Sequence, residues 1–179
     1  MTERLLLDVI GALAELPHAL IGAAALGVHG VARSTSDLDL LVADRGALDA
    51  ARWMPLRAAG CAVDLRLGDA WDPLVGVVRV RRGKSTPIDV VVAGAWVSPI
   101  LARAGKLAPV TLGGASIPVV AAADLVILKL YAGGPLDLHD VEALLAVDPA
   151  TEALVVAGLA SVPEGCREAW EHVLRVRRA

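Results

Sequence analysis

Apolar and polar positions along the first two thirds of the chain follow two different spacings, which predict both helices and strands. Apolar residues three and four apart predict helices at 3–15, about 46–59 and 95–104. Short runs rich in β-branched residues predict strands at 19–21, 37–43, 61–67, 74–82 and 87–92, with a small hairpin at 110–117. This mixture is typical of an α/β sheet flanked by helices.

From residue 121 to the end, the apolar spacing is helical throughout. Glycine and proline residues divide it into predicted helices at 121–132, 136–147, about 149–158 and 163–176. No linker-like segment or internal repeat separates these helices from the part before them. We therefore predict an α/β (α+β) fold in a single domain over residues 1–179, with a mixed-sheet core at about 1–118 and C-terminal helices at about 119–179.

Two aspartates interrupt the apolar strand at 37–43. Asp37 and Asp39 are two residues apart, so on a strand both side chains point to the same face. Two like charges there are costly unless a cation neutralises them. A third aspartate, Asp89, lies among β-branched residues in the strand at 87–92. Each aspartate taken singly is equally well explained as a satisfied structural group, but carboxylates on neighbouring strands can hold a pair of Mg²⁺ or Mn²⁺ ions.

The composition narrows the class of protein. The 179 residues carry a net charge of −3, which argues against a protein that coats DNA. The hydrophobic share of 56% includes no uninterrupted apolar stretch of the roughly 20 residues that a membrane span needs. The N-terminus lacks the layout of a signal peptide, and Cys61 and Cys166 show no spacing typical of a metal site or a disulfide. We expect a cytoplasmic protein that does not bind membranes.

The residues around the aspartate pair resemble a known motif. Gly22 and Ala23, then the loop 33–36, then Asp37-Leu38-Asp39 resemble the DNA polymerase beta-like nucleotidyltransferase superfamily. Its motif is a Gly-Gly or Gly-Ser pair at a helix start, about a dozen residues, an Asp-x-Asp strand and a later third aspartate. The segment from Lys129 to Asp140 resembles the AbiEii/MenT-type branch, which includes toxins and carries a helix lysine followed by an acidic pair. The resemblance covers roughly residues 15–145.

The resemblance implies a metal-dependent enzyme that moves a nucleoside monophosphate from a nucleoside triphosphate to an acceptor hydroxyl and releases pyrophosphate. Asp37 and Asp39 would bind Mg²⁺ or Mn²⁺, and Asp89 would complete the catalytic site as a ligand or as the base. Gly22 and Ala23 would offer backbone N–H groups to the phosphates.

The same resemblance assigns roles to residues of the C-terminal helices. Lys129 would contact the triphosphate or the developing charge, and Asp137 and Asp140 would orient it or help to position the nucleotide. Alternatives that do not depend on the resemblance stay open: Lys129 extends to the surface, Asp137 caps a helix, and Asp140 adds favourable charge to the first turn of that helix. Arg33 would reach a phosphate or simply be solvated.

The acceptor is open at this point. The branch resemblance favours RNA, including tRNA, or a protein over a small molecule such as an aminoglycoside, and it raises the hypothesis of a toxin with a cognate antitoxin. The chain departs from the family pattern at two places: Ala23 replaces Gly or Ser, and residues 133–136 stand where toxin relatives often carry basic residues. These departures motivate an alternative. In that alternative the chain is a weak or inactive nucleotidyltransferase-fold binding module that acts through a protein partner.

Four basic residues near the predicted hairpin turn at 82–85 form a further candidate, namely Arg79, Arg81, Arg82 and Lys84. Arg79 and Arg81 share one strand face, so the cluster could guide RNA or a polyphosphate toward the metal site. It is explained at least as well as a solvated hairpin edge protected by charge.

Overall fold

The computed structural model describes residues 2–69 and 74–177. The chain forms two compact units: Met1–Ala24 with Ser34–Val120, and Ala25–Arg33 with Ala121–Ala179. The boundary at Val120 lies close to the one predicted near residue 118, while residues 25–33 group with the C-terminal helices. That the whole chain acts as a single domain stays a prediction.

The order of helices and strands follows the predicted order closely. Within the described residues, the helices are α1 (Thr2–Ala12), α2 (Gly22–Val28), α3 (Met54–Ala58), α4 (Ser98–Ala104), α5 (Ala122–Ala132), α6 (Pro135–Val147), α7 (Thr151–Gly158) and α8 (Gly165–Arg177). The strands are β1 (His18–Ile21), β2 (Leu38–Val42), β3 (Ala62–Leu67), β4 (Gly76–Arg81), β5 (Ile88–Val92), β6 (Val110–Leu112) and β7 (Ala115–Ile117).

The first unit is built on a five-stranded mixed sheet with the order β1-β2-β5-β4-β3. Strands β2 and β5 are parallel, and the other neighbouring pairs are antiparallel. Strand β3 pairs with β4 at one edge, far from the aspartate strand β2. The predicted fold class, a mixed α/β sheet followed by helices, is confirmed.

The two faces of this sheet differ sharply in polarity. Side chains of one face are fully buried and apolar: Leu40, Val42, Val78, Val80, Ile88, Val90 and Val92. The opposite face carries Asp39, Asp89, Arg79 and Asp64, because neighbouring residues of a strand point to opposite sides. Burial of each Val, Leu or Ile contributes about 1.5–3 kcal/mol, so the apolar face supplies the core that holds the charged face in place.

The predicted helix at 46–59 is wrong as a continuous element. It is divided into the 3₁₀ turns Arg45–Leu48 and Ala50–Trp53 and the short α3. Asp44 and Asp49 each accept a hydrogen bond from the backbone N–H two residues later, at 2.6 and 2.9 Å, so each caps a new turn. Trp53 is fully buried, and its Nε1 donates to the Ala47 carbonyl at 2.8 Å. Aspartate caps and this anchor outweigh the helical spacing.

The second unit is organised around α5, which contacts α6, α7 and α8. Apolar residues on all sides of α5 are buried, among them Leu125, Val126, Ile127 and Leu130. A helix that is apolar all round belongs inside a bundle. Gly133 ends α5 in the left-handed conformation, with φ of 67°.

Among the described residues, none of the helices has the length and apolar character that a membrane crossing requires. Cys61 and Cys166 are both buried and unpaired with each other.

Candidate functional site

A row of charged residues crosses one face of the five-stranded sheet. The strand register pairs Asp39 with Asp89, Asp89 with Arg79, and Arg79 with Asp64. Asp37 lies two residues before Asp39, immediately before β2. Neighbouring strands are about 4.8 Å apart, so the sheet brings two of the predicted metal ligands into adjacent positions.

Arg79 contacts two of the three predicted metal ligands. Its Nη1 donates to Asp89 Oδ2 at 3.1 Å, and its Nη2 donates to Asp37 Oδ2 at 3.2 Å. The other oxygen of Asp37, Oδ1, accepts a hydrogen bond from the Thr35 hydroxyl at 3.0 Å. The guanidinium therefore supplies positive charge between these two carboxylates.

Asp39 lies against the turn that joins β1 to α2. Gly22 has φ of 66°, a left-handed conformation that favours glycine. A Cβ atom on Gly22 would come within 2.0 Å of Asp39 Oδ2, so a larger residue would displace this carboxylate. The predicted glycine turn and the predicted metal ligand are thus in direct contact, with Ala23 following in α2.

Asp89 lies in an environment that disfavours its charged form. Burial raises the pKa of its carboxyl, with a further increase from the nearby Asp37 charge, while Arg79 and Arg66 act in the opposite direction. Its Oδ1 is buried and has no hydrogen-bond partner. A buried carboxylate oxygen without a partner is costly, so this atom is suited to accept a proton or a cation.

Asp37 and Asp89 meet part of what a divalent cation requires of its ligands. Carboxylate oxygens suit Mg²⁺ or Mn²⁺ chemically, two carboxylates already converge on one positive group, and Asp89 Oδ1 lacks a partner. Within residues 2–69 and 74–177, no three His, Cys, Asp or Glu side chains form a ready metal-binding group. The carboxylate oxygens are therefore chemically suitable ligands for such an ion. In this structure Arg79 lies between Asp37 and Asp89.

The second unit holds a cluster of four predicted site residues. Lys129 is buried, and its Nζ lies 2.7 Å from Asp137 Oδ1 and 2.8 Å from Asp140 Oδ2. Arg33 donates to the same oxygen of Asp140. The ammonium is held inside the unit, so the alternative that Lys129 extends to the surface is wrong. Asp137 also accepts a hydrogen bond from the Gly134 N–H at 3.2 Å and therefore caps α6 as well.

The basic cluster at the hairpin is mostly paired with acidic side chains of the first unit. Arg81 contacts Asp64 at 2.7 Å, and Arg82 contacts Asp8 at 2.7 Å. Strand β4 lies between β5 and β3, so its arginines do not lie on an edge strand of the sheet. The sequence singled out Arg79 as a basic residue, but it did not connect Arg79 with the aspartates. The signal that was available is the alternation along β4, which places Arg79 on the face opposite to the buried apolar residues.

A cavity of about 650 Å³ in the first unit is lined by α1 and the segment around α3, and its lining includes Arg4, Asp8 and Arg52. Arg82 of the basic cluster also lines it, whereas Asp37, Asp39 and Asp89 do not.

Comparisons with known proteins give matches in structure alone. No protein-family model and no curated protein sequence matches the chain. A solution structure of the antibiotic-resistance factor ANT(2'')-Ia matches with a TM-score of 0.54 and 18% identity, over 96% of this chain and 97% of that one. A crystal structure of ANT(2'')-Ia in complex with adenylyl-2''-tobramycin matches with a TM-score of 0.53 and 17% identity, over 88% and 97%.

A third structure extends the likeness. An antigenic nucleotidyltransferase-like protein from Paracoccidioides brasiliensis matches with a TM-score of 0.51 and 13% identity, over 99% of this chain and 89% of that one. The chain has a nucleotidyltransferase fold. Its resemblance to the AbiEii/MenT-type branch stays a prediction.

Replacement of Gly22 by alanine tests the contact with Asp39. We expect Gly22→Ala to lower the free energy of unfolding by about 1–3 kcal/mol, because the left-handed backbone is strained and the new Cβ displaces the Asp39 carboxylate. Urea denaturation measures this change. Gly27→Ala is the matched control, since Gly27 belongs to the same helix and has open space around it. An equal loss in both variants would contradict the contact.

The raised pKa of Asp89 predicts a pH dependence of stability in metal-free buffer. A raised folded-state pKa contributes stability below the unfolded pKa, and that contribution is lost as pH rises through the folded pKa. Asp89→Asn keeps the residue neutral, so we expect its free energy of unfolding to improve relative to that of the unmodified protein as the pH rises above about 4. Denaturant titrations at several pH values check this. A shift in the opposite direction would mean that Arg79 outweighs burial.

The buried cluster of the second unit predicts a strong response to loss of its lysine. Lys129→Met should lower the free energy of unfolding by about 3–5 kcal/mol, because Asp140 is left buried with Arg33 as its charged partner. The double variant Lys129→Met with Asp140→Leu should recover part of the loss. Lys106→Met, which changes an exposed lysine, is the control. Equal stability of all three variants would exclude a structural role for the cluster.

Proposed function

We propose that the protein is a metal-dependent nucleotidyltransferase. It moves a nucleoside monophosphate from a nucleoside triphosphate to an acceptor hydroxyl and releases pyrophosphate. The observation that carries the proposal is the position of Asp39 beside Asp89 on parallel strands, with Asp37 on the same face and the Gly22 turn against Asp39. The nucleotidyltransferase fold supports the same conclusion.

Asp37, Asp39 and Asp89 are the residues that would hold Mg²⁺ or Mn²⁺. When bound, such ions neutralise the charge of the triphosphate and stabilise the attacking and leaving oxygens. The acceptor oxygen attacks the α-phosphorus, and the bond between this phosphorus and the bridging oxygen to the β-phosphate breaks. The bonding electron pair leaves with pyrophosphate.

Asp89 is the proposed acceptor of the proton from the attacking hydroxyl. Its Oδ1 has no hydrogen-bond partner, and burial raises its pKa toward the range in which a carboxylate works as a base. Gly22 and Ala23 are proposed to donate backbone N–H groups to the phosphates. The roles of Lys129, Asp137, Asp140 and Arg33 toward the nucleotide stay predictions.

The acceptor is proposed to be RNA, including tRNA, or a protein. This choice rests on the resemblance of the segment from Lys129 to Asp140 to the AbiEii/MenT-type branch, as does the hypothesis of a toxin with a cognate antitoxin. The ANT(2'')-Ia neighbour was solved with adenylyl-2''-tobramycin, so aminoglycosides belong among the acceptors to be tested.

The alternative is a binding module that keeps the fold and acts through a protein partner. Ala23 in the glycine motif favours it, since the hydroxyl of the common Gly-Ser pair is missing. Against it stands the cost of keeping three carboxylates close together, because a module without metal chemistry has no physical need of them.

A label-transfer assay tests the proposal. The pure protein is incubated with each α-³²P-labelled nucleoside triphosphate, Mg²⁺ or Mn²⁺, and total RNA, lysate protein or an aminoglycoside. We expect transfer to one acceptor class, a loss to background in Asp39→Asn, and a fall of about 10²–10⁴-fold in Asp89→Asn, because a general base is removed.

Asp64→Asn is the matched control for this assay. Asp64 belongs to the same row of the sheet but pairs with Arg81, so its loss should leave transfer nearly unchanged. Transfer that persists in Asp39→Asn would refute the assigned site. Failure to transfer to any acceptor, together with no metal-dependent binding of nucleotide, would favour the binding module. Lys129→Met in the same assay tests the predicted role of that residue.

A further inference from the structure

The site formed by Asp37, Asp39 and Asp89, here called the aspartate site, already contains a positively charged side chain, that of Arg79. Arg79 contacts Asp37 Oδ2 and Asp89 Oδ2 through two different nitrogens, at 3.2 and 3.1 Å. The side chain of Asp89 is 13% exposed and that of Asp37 is 27% exposed, so water shields their mutual repulsion only in part. A guanidinium presents its donors in a planar fork, which suits it to bridge two carboxylates.

The register of the sheet determines this contact. Arg79 lies directly opposite Asp89 on the antiparallel neighbour β4. Side chains at opposite positions of a strand pair are about 5 Å apart at Cβ, so the long arginine side chain reaches Asp89 and extends beyond it to Asp37. The position of Arg79 therefore depends on the same sheet that aligns the aspartates.

We propose that Arg79 is an internal counter-ion that holds Asp37 and Asp89 together without a divalent ion, and that a divalent ion binds there only as the guanidinium leaves. The inference rests on the proposed function, since it takes the same aspartates as the metal ligands. Arg79 is a positioning residue in this scheme.

Arg79 and a divalent ion compete for the same Oδ2 atoms of Asp37 and Asp89. Mg²⁺ binds carboxylate oxygens at about 2.0–2.1 Å, whereas the arginine nitrogens lie at 3.1 and 3.2 Å from the same Oδ2 atoms. A guanidinium in that position would repel a divalent ion at close range. The three aspartates carry three negative charges and Arg79 supplies one positive charge, so an ion of charge two is the better match.

Binding of Mn²⁺ alone, measured by calorimetry and by paramagnetic resonance, tests the inference without any need for turnover. We expect Arg79→Met to bind Mn²⁺ about tenfold more tightly, equivalent to about 1.4 kcal/mol. Thermal unfolding gives a second readout: the variant should melt lower than the unmodified protein in chelator, and Mn²⁺ should raise its melting temperature by the larger amount.

Arg81→Met is the matched control. It removes the same charge from the same face of the same strand, but its partner is Asp64. We expect its Mn²⁺ affinity to stay within twofold of the unmodified protein. Arg79→Lys keeps one charge without the fork of donors, so its Mn²⁺ affinity should lie between those of the unmodified protein and Arg79→Met. This variant serves as well if Arg79→Met fails to fold.

The outcomes separate this inference from the proposed function. If the unmodified protein binds Mn²⁺ through Asp39, as shown by loss of binding in Asp39→Asn, and the Arg79 variants bind it equally or more weakly, the counter-ion role is overturned and the proposed function stands. If neither the unmodified protein nor any Arg79 variant binds Mn²⁺, the metal site itself fails, and both conclusions fall. A lower melting temperature without rescue by Mn²⁺ would identify Arg79 as merely structural.

Discussion

The parallel pairing of β2 with β5 is the constraint on which the charged site depends. It aligns Asp39 with Asp89, and Asp37, immediately before β2, contacts Arg79 of the same charged face. Carboxylates forced together in this way repel each other, and burial of Asp89 adds a desolvation cost. Burial of the apolar residues on the opposite face offsets this cost in free energy. The strands cannot shift by one residue without exposing these apolar residues, so the register is maintained.

Two residues, Gly22 and Arg79, reduce the steric and electrostatic repulsion on the charged face in different ways. Gly22 has no side chain, which leaves the space that the Asp39 carboxylate fills beside the β1–α2 turn. Arg79 places positive charge between Asp37 and Asp89. Neither residue removes the strain completely, since Asp89 Oδ1 remains buried without a hydrogen-bond partner. An acidic group left incompletely satisfied in a sheet is typical of a functional site.

In the charged cluster of the second unit, unlike in the aspartate site, positive and negative side chains are equal in number. Lys129 contacts both Asp137 and Asp140, and Arg33 shares Asp140, so two cations meet two carboxylates. Asp137 also caps α6, which gives the cluster a clear part in holding α5 and α6 together. A fully paired network of this kind makes a helical unit more rigid. Removal of one partner lowers the free energy of unfolding by more than the whole network raises it, because the remaining charge is left buried.

The sequence by itself determined most of the helices and strands and predicted one face for Asp37 and Asp39. Strand alternation was enough to assign Asp37 and Asp39 to one face, and helical spacing was enough for the C-terminal helices, because both depend on residues a few positions apart. Local caps at Asp44 and Asp49 divided the predicted helix at 46–59. Tertiary structure alone decided which strands are neighbours: it brought Arg79 to the aspartates and Asp39 to Gly22, and it buried Lys129. Such pairings join distant residues, so no local pattern encodes them.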